Sequence, residues 1–174
     1  FVFHFSNGFQ LRYFDSKVMG RIYLVRKDEV RTVPGIGELG PEAWDKELTV
    51  ELFRQRLAKY RGEIKTIITN QEFLAGIGNA YADEILFVAG IYPYRKRTEL
   101  SADDVQRLYH AIRQVLLEAT EILSNRVGDH IHVEIRDFLK VHGRGGLPCP
   151  NCGSNISQII INQRTTEFCR HCQK

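Results

Sequence analysis

A chain of 174 residues with 43% hydrophobic content is long enough to bury a core, as one domain or as a domain with a small module. Its apolar runs are too short to span a bilayer, and its first residues lack the charged lead-in and cleavage site of a signal peptide. The net charge of +3 says little about partners, but residues 138–174 carry five Lys and Arg against the single acid Glu167. Such a basic region suits a phosphate-rich partner, and a general solubilising charge bias is the alternative.

The N-terminal part of the chain has the pattern of a β-hairpin. Two apolar-rich runs, residues 1–5 and 9–14, flank an Asn-Gly pair, which is the strongest short-range hairpin signal. Residues 20–26 continue this pattern and predict a third strand. A Gly- and Pro-rich stretch then predicts a linker over residues 34–48, so that residues 1–33 form a small β region.

Helical periodicity replaces this pattern in the middle of the chain and predicts an all-helical bundle. A first helix follows the cap residue Thr49, and a second follows Asn70. A third is predicted over residues 79–89, where Gly90 ends it. A long amphipathic helix follows Ser101, with apolar residues at helical spacing on one face: Val105, Leu108, Ile112, Val115 and Leu116.

The C-terminal part of the chain predicts a second β-hairpin. Residues 131–135 alternate like a short strand, although a helix over residues 133–141 fits equally well. Two further strands, residues 156–161 and 164–168, flank a short turn. The resulting expectation is a helical domain over residues 49–137 and a separate module over residues 138–174.

All four cysteines of the chain stand at the base of this second hairpin, as two Cys-x-x-Cys pairs: Cys149, Cys152, Cys169 and Cys172. Four thiolates in this arrangement are typical of a structural Zn²⁺ site. A hairpin this small buries too little apolar surface to fold alone, so a bound metal would contribute folding free energy. Two disulfides and a rubredoxin-like iron site are the alternatives, and His171 is interpreted as a bystander. The absence of other cysteines favours a reducing, intracellular setting.

Two features of the sequence suit anion binding. Arg164 stands at the tip of the second hairpin, where its planar guanidinium can bridge phosphate oxygens; a solvated turn arginine is the alternative. Gly76-Ile77-Gly78 interrupts the helical pattern, and a helix that starts at Asn79 exposes backbone N–H groups beside a positive dipole end. Asn79 either caps this helix or donates its own amide to the anion. A helix corner with glycines for close packing is the alternative for this turn.

Other polar residues give weaker signals. Asp83 and Glu84 are neighbours on a predicted helix and point to different faces, so we interpret them as helix-surface or ion-pair residues rather than a catalytic pair. His130 and His132 alternate on a possible strand, but the sequence offers no third metal ligand beside them. Neither pair by itself predicts a reaction centre.

Together these motifs resemble the C-terminal two-thirds of the formamidopyrimidine-DNA glycosylase / endonuclease VIII family of base-excision-repair enzymes. The stretch IKTIITNQEFLAGIGNAYADEILFVAGIYP is similar to the family's helix–two-turn–helix signature, and LKVHGRGGLPCPNCG and QRTTEFCRHCQ are similar to the two ends of its zinc finger. The resemblance implies a mainly α fold, in which a helix–two-turn–helix bundle precedes a C-terminal β-hairpin zinc finger with one structural Zn²⁺. Residues 1–33 would be a remnant of the family's N-terminal β-sandwich.

The resemblance also implies roles for individual residues. The positions that match the family's grip on the phosphates flanking a damaged nucleotide are Asn79, Gly78 and Arg164. Lys65 would lie near the lesion. LRYFDSKVMG resembles the stretch whose Arg and Phe fill the gap left by an everted base, and Lys17 and Met19 stand in those positions. Methionine is a suitable apolar wedge between base pairs.

The family's catalytic residues, an N-terminal proline and the glutamate that follows it, do not occur at the start of this chain. The chain opens at Phe1, and its only methionine is Met19, so we expect that a preceding segment has been removed. We therefore expect the chain to bind damaged double-stranded DNA without excising a base. The parent protein is implied to be a bifunctional glycosylase and abasic-site lyase for oxidised bases: formamidopyrimidine, 8-oxoguanine or oxidised pyrimidines. A monomer in the bacterial cytoplasm without a membrane partner is expected, and a non-catalytic, zinc-containing DNA-binding module is the alternative.

Overall fold

The structure, a computed structural model, describes residues 1–16, 18–128, 133–161 and 164–174. The chain divides into two compact units, residues 1–37 and residues 38–174. Within the described residues most regular structure is helical, and two small β-hairpins complete it. None of the helices that the structure describes combines the length and the apolarity that crossing a bilayer requires.

The first unit contains a two-stranded antiparallel hairpin, β1 (Val2–His4) and β2 (Gln10–Arg12). Its turn uses the Asn-Gly pair: the Phe9 N–H donates to Asn7 Oδ1 at 3.1 Å, and Gly8 adopts a φ of +85°. A left-handed φ costs glycine little because glycine has no Cβ. The predicted N-terminal hairpin is therefore confirmed.

The predicted third strand over residues 20–26 is wrong, because these residues have no strand structure. A strand needs a neighbour for its backbone hydrogen bonds, and the described residues of this unit form only the two-stranded hairpin. A 3-10 helix, Lys27–Thr32, follows. Val33 is the only buried residue among those described in this unit, so the unit has almost no core of its own.

The described residues of the second unit form four α-helices: α1 (Val50–Leu57), α2 (Ile64–Ile68), α3 (Asn79–Ala89) and α4 (Ala102–Arg126). Thr49 caps α1 by accepting a hydrogen bond from the Leu52 N–H. Ser101 caps α4 in a reciprocal arrangement with Asp104. Gly90, at a φ of +68°, ends α3. The predictions for α1, α3 and α4 are confirmed.

The helices share one hydrophobic core, to which each contributes an apolar face. Phe53 of α1, Ile68 of α2, Ile85 of α3 and Leu108 of α4 are all buried within it. The Phe73 ring, from the turn between α2 and α3, lies 5.6 Å from the Phe53 ring. Burying a side chain of this size contributes about 1.5–3 kcal/mol, so this core is the main source of the bundle's stability.

The predicted helix after Asn70 is wrong, and the chain forms turns there instead. Asn70 Oδ1 accepts the Glu72 N–H at 2.9 Å, and Gln71 Oε1 accepts the Gly76 N–H at 2.9 Å. Gly76 itself has a φ of +94°, which a helix cannot accommodate. Side-chain hydrogen bonds to the backbone thus replace the helical bonds that the apolar spacing had favoured.

The second hairpin consists of β3 (Ser157–Ile161) and β4 (Arg164–Phe168), which pair so that Ile161 lies opposite Arg164. It confirms the strands predicted on either side of the turn. Residues 133–141 form neither the helix nor the strand considered for this region, and residues 131 and 132 lie outside the described part of the chain. A small separate core lies beneath the hairpin and includes Ile156.

Candidate metal centre and nucleic-acid interface

The four cysteine sulfurs form one compact cluster. Cys149 Sγ lies 3.8 Å from Cys172 Sγ, and Cys152 Sγ lies 3.5 Å from Cys169 Sγ. All four sulfurs lie within 4.8 Å of one another, and all four cysteines are free of disulfide bonds. Thiolates at about 2.3 Å from a tetrahedral Zn²⁺ stand about 3.8 Å apart, so the cluster fits this ion. His171 is exposed and is not part of the cluster.

The first cysteine pair sits in a tight turn that prepares it for a metal. The Cys149 N–H donates to the Ser154 carbonyl at 2.8 Å, and the Gly153 N–H donates to the Cys149 carbonyl at 2.9 Å. Hydrogen bonds from Ser154 lower the pKa of the Cys152 thiol to about 6, whereas burial raises the pKa of Cys169. These hydrogen bonds favour the thiolate form of Cys152, and a bound cation favours the same form at the other ligands.

The zinc-binding hairpin is fastened to the helical bundle next to its tip. Asn79, the first residue of α3, donates from Nδ2 to the Thr165 carbonyl at 2.8 Å. Lys65 of α2 donates from Nζ to Thr166 Oγ1 at 2.7 Å and to the Thr165 carbonyl at 3.3 Å.

Gly78, rather than Asn79, occupies the N-cap position of α3, so the capping role considered for Asn79 is wrong.

A buried ion pair lies below these contacts. Lys65 Nζ lies 2.6 Å from Asp83 Oδ1, and Asp83 is completely buried. The other oxygen, Oδ2, lies 2.8 Å from His142 Nδ1 and accepts the Glu167 N–H at 3.3 Å. Burial lowers the pKa of Lys65, although Asp83 acts in the opposite direction. The Asp83, His142 and Glu167 side chains also converge closely enough for a metal, but the Lys65 ammonium already supplies the cation.

Glu84 has a different role from its neighbour. It is 3% exposed, and its carboxylate accepts the backbone N–H groups of Lys140, Val141 and His142, each at 2.8 Å. The ion-pair interpretation is thus right for Asp83, and the helix-surface interpretation is wrong for both residues. The sequence did contain a signal: α3 is apolar on all sides, and a helix of that kind is buried together with its few charges.

The glycine turn before α3 is held by one side chain. Gln71 accepts the Gly76 N–H and donates from Nε2 to the Ile77 carbonyl at 2.9 Å. Gly78 differs from Gly76, because its φ is −97° and a Cβ added to it would meet no atom within 4 Å. No side chain caps α3, so the first N–H groups of this helix are free for another acceptor. Neither the fold nor the packing requires glycine at position 78.

An open cleft of about 440 Å³ lies where α2, the start of α3 and the second hairpin meet. Three of the predicted site residues line it, namely Lys65, Asn79 and Arg164, and we call it the finger cleft. Arg164 is exposed, whereas Lys65 is 8% exposed. Asn79 uses one amide hydrogen on Thr165 and retains the second. The cleft is therefore lined by a guanidinium and by an amide that retains a hydrogen.

The remaining predicted residues lie elsewhere or outside the described part of the chain. Gly78 lines a second cavity of about 510 Å³ together with Asn79 and His142. Met19, in the first unit, is 78% exposed and follows Val18, which has a strained φ of +52°. Three residues named in the sequence analysis lie outside the described part of the chain, namely Lys17, His130 and His132, and so do the two turn residues between the predicted strands, Asn162 and Gln163.

Comparison with protein-family models gives two matches. Residues 39–130 match the model described as the formamidopyrimidine-DNA glycosylase H2TH domain. Residues 146–174 match the model described as the zinc finger found in FPG and IleRS. The zinc-finger match and the sulfur geometry together establish one structural Zn²⁺ in this chain, rather than disulfides or iron.

Curated relatives extend this similarity over the whole chain. The formamidopyrimidine-DNA glycosylase of Symbiobacterium thermophilum is 40% identical over 177 residues, which cover 99% of this chain and 58% of the relative. That of Pelotomaculum thermopropionicum is 39% identical over 178 residues, which cover 99% of this chain and 64% of the relative. The chain thus spans about three-fifths of the length of these relatives.

Solved structures show the same similarity. The MutM (Fpg) protein of Thermus thermophilus matches with a TM-score of 0.84 and 32% identity, over 99% of this chain and 67% of the other. MutM in complex with carbocyclic 8-oxo-G containing DNA matches with the same TM-score and identity, over 99% of this chain and 64% of the other. Lactococcus lactis Fpg bound to DNA containing an AP site matches with a TM-score of 0.70 and 31% identity, over 84% of this chain and 54% of the other.

Proposed function

The chain belongs to the formamidopyrimidine-DNA glycosylase / endonuclease VIII family, and we propose that it is the DNA-binding part of a base-excision-repair glycosylase. The observation that carries this proposal is the finger cleft, which Asn79 of the bundle and Arg164 of the zinc finger line together. Two related proteins have been solved with damaged DNA, one with 8-oxo-G containing DNA and one with DNA containing an AP site, and these complexes support the proposal. We propose double-stranded DNA as the partner of a monomer that acts on the bacterial nucleoid in the cytoplasm.

The chemistry of the cleft suits a DNA phosphate. The Arg164 guanidinium donates two parallel hydrogen bonds to phosphate oxygens, and the second amide hydrogen of Asn79 donates a third. The free N–H groups and positive dipole end of α3 add to this attraction. Contacts of this kind position the duplex without reading its sequence, as the repair of scattered lesions requires. In this proposal α2, the glycine turn and α3 form the helix–two-turn–helix element, and Gly78 lets the DNA backbone approach closely.

The activity of the whole protein is also a proposal. It removes oxidised bases from the duplex and cleaves the resulting abasic site, while Met19 and Lys17 fill the gap that the everted base leaves. For this chain alone, the expectation of no borohydride-trapped adduct with abasic DNA stays a prediction. The Phe1 amine donates to the Tyr13 carbonyl at 3.0 Å, which leaves it poorly placed as a nucleophile. The proposed domains are residues 1–33, 34–48, 49–137 and 138–174.

Replacement of Arg164 by alanine tests the phosphate grip. Loss of a hydrogen bond to a charged group costs about 1.5–3 kcal/mol, so we expect the Kd for a duplex with an abasic-site analogue to rise roughly 10- to 150-fold. The slope of log Kd against log salt concentration should also become shallower by about 0.9, which corresponds to one lost phosphate contact. Arg170→Ala is the matched control, because Arg170 is exposed on the same finger and does not line the cleft. Equal affinities and salt slopes for both variants would contradict the proposal.

Replacement of Gly78 by alanine tests the close approach of the DNA backbone. Since a Cβ at this position meets no protein atom within 4 Å, we expect the free energy of unfolding to fall by at most about 1 kcal/mol. Affinity for the same duplex should nevertheless fall, because the new methyl group occupies space that the phosphate needs. Thermal unfolding and titration of the duplex by fluorescence anisotropy measure the two effects. Unchanged affinity would remove Gly78 from the interface.

A further inference from the structure

The ammonium group of Lys65 is directed at groups of the protein itself. It contacts Asp83 Oδ1 at 2.6 Å, Thr166 Oγ1 at 2.7 Å and the Thr165 carbonyl at 3.3 Å. Two of these contacts are hydrogen bonds and the third is an ion pair, so the ammonium is engaged by three groups of the protein. The Lys65 side chain is also only 10% exposed. Lys65 therefore lines the finger cleft as part of its wall.

Two of these acceptors belong to the residues that directly follow Arg164. The Thr165 carbonyl receives hydrogen bonds from Lys65 and from Asn79, so the backbone beside Arg164 is fixed from both α2 and α3. A two-stranded hairpin is only marginally stable by itself, and the turn end of this one lies away from the cysteines. Arg164 pairs with Ile161 at that end. The bonds from Lys65 and Asn79 thus add to the strand pairing in holding the backbone beside Arg164.

We infer that Lys65 is a positioning residue for Arg164: it fixes β4 on the bundle so that the guanidinium faces the finger cleft before DNA arrives. This inference rests on the proposed function. It differs from the expectation drawn from the family resemblance, in which Lys65 lies near the lesion. Its benefit is entropic, because a side chain that is already placed loses less freedom when it binds a phosphate.

The surroundings of Lys65 make this fastening rigid. Asp83, which neutralises the ammonium, is itself held by His142 and by the backbone N–H of Glu167. Glu167 belongs to β4, so the same strand is tied to α3 through Asp83 as well as to α2 through Lys65. Removing one member of a buried ion pair leaves the other charge uncompensated, so the network holds as a unit.

A double-mutant cycle between Lys65 and Arg164 tests this inference. The variants Lys65→Met, Arg164→Ala and the double variant are titrated, as zinc-loaded chains, with a duplex that carries a tetrahydrofuran abasic-site analogue at several salt concentrations. If Lys65 acts through Arg164, Lys65→Met weakens binding by no more than Arg164→Ala does, and the double variant matches Arg164→Ala within about twofold. If Lys65 contacts DNA itself, the two losses multiply and the salt slope of the double variant falls by about 0.9 more, which would overturn the inference.

A second variant keeps the test valid where Lys65→Met does not fold. Thr166→Val removes only the hydroxyl that accepts from Lys65 and preserves the shape of the side chain, and zinc content and thermal unfolding verify its structure. It should weaken binding when Arg164 is present and have no effect in the Arg164→Ala background. An equal effect in both backgrounds, or none in either, would overturn the inference. If Arg164→Ala itself binds like the unmodified chain, the proposed function fails instead, so the two failures are distinguishable.

Discussion

The helical bundle and the zinc finger are joined side by side, yet different forces hold each of them together. The bundle buries a core cluster of twenty residues, to which all four helices contribute. The cluster beneath the finger has five residues: Phe87 comes from α3, and the finger contributes only four of those described, two of which are the metal ligands Cys149 and Cys169. Two apolar residues of β3, Ile160 and Ile161, remain 66% and 51% exposed. Hydrophobic burial therefore stabilises the bundle, whereas the finger depends on its metal.

This difference assigns separate tasks to the two regions. The bundle is a stable platform that presents the glycine turn and the start of α3, and the finger adds a guanidinium beside them. Because Arg164 stands on the region with the smaller core, its position depends on both the zinc ion and the bonds to the bundle. We call the contacts between the bundle and the finger the joint; on the bundle side they are made by Lys65, Asn79, Asp83 and Glu84. Removing the metal, truncating the core and altering the joint should then lower the stability of the protein by decreasing amounts.

Removal of zinc should have the largest effect. Structural zinc binding contributes about 10–16 kcal/mol in isolated fingers, so we expect a strong chelator to unfold β3 and β4 while α4 stays helical. Hydrogen exchange should then show protection lost from residues 157–161 and 164–168 and retained in residues 102–126. Affinity for abasic DNA should be lost and should return when Zn²⁺ is added back. Full protection of the hairpin without metal would contradict the comparison.

Truncation in the bundle core should have the next largest effect. Phe73 is completely buried between Phe53 and Tyr60, and Phe73→Ala should lower the free energy of unfolding by about 3–5 kcal/mol. Leu117→Ala is the matched control, because Leu117 is 60% exposed on α4 and should change stability by less than about 0.5 kcal/mol. Denaturant unfolding followed by circular dichroism measures both. Similar losses for the two variants would disprove this account of the core.

A change at the joint should have the smallest effect of the three. Glu84→Gln replaces a carboxylate oxygen that accepts backbone N–H groups with an amide that donates, and we expect a loss of about 1.5–3 kcal/mol. Glu118→Gln on α4 is the control, since this side chain is 49% exposed and lies 4.0 Å from Lys140 Nζ. Thermal unfolding with a zinc assay measures the loss and verifies that the metal site persists. Equal stability of both variants would mean that Glu84 does not hold the joint.

Much of the fold was predictable because it depends on local chemistry. The caps Thr49 and Ser101 mark two helix starts, Gly90 marks a helix end, and the cysteine spacing marks the metal site. Each of these signals acts within a few residues of the chain, so the sequence alone contains it. The mainly helical fold and the structural zinc followed from such signals and from the family resemblance.

The joint was not predictable, because its contacts connect distant parts of the chain. The apolar composition of α3 indicates that Asp83 and Glu84 are buried, but their partners lie on β4 and on residues 140–142, which the sequence of the helix does not identify. The helix predicted after Asn70 failed for the opposite reason: local side-chain bonds from Asn70 and Gln71 outweighed the apolar spacing.

We also expect the joint to form late when this protein folds. Its hydrogen bonds link residues far apart in sequence: 100 positions separate Lys65 from Thr165, and 86 separate Asn79 from it. Closing such long loops costs entropy that local helix contacts do not, and on the ribosome the N-terminal helices emerge first. The bundle should thus form while Lys65 still faces water, and docking of the metal-loaded hairpin should complete the burial of this ammonium as the last step.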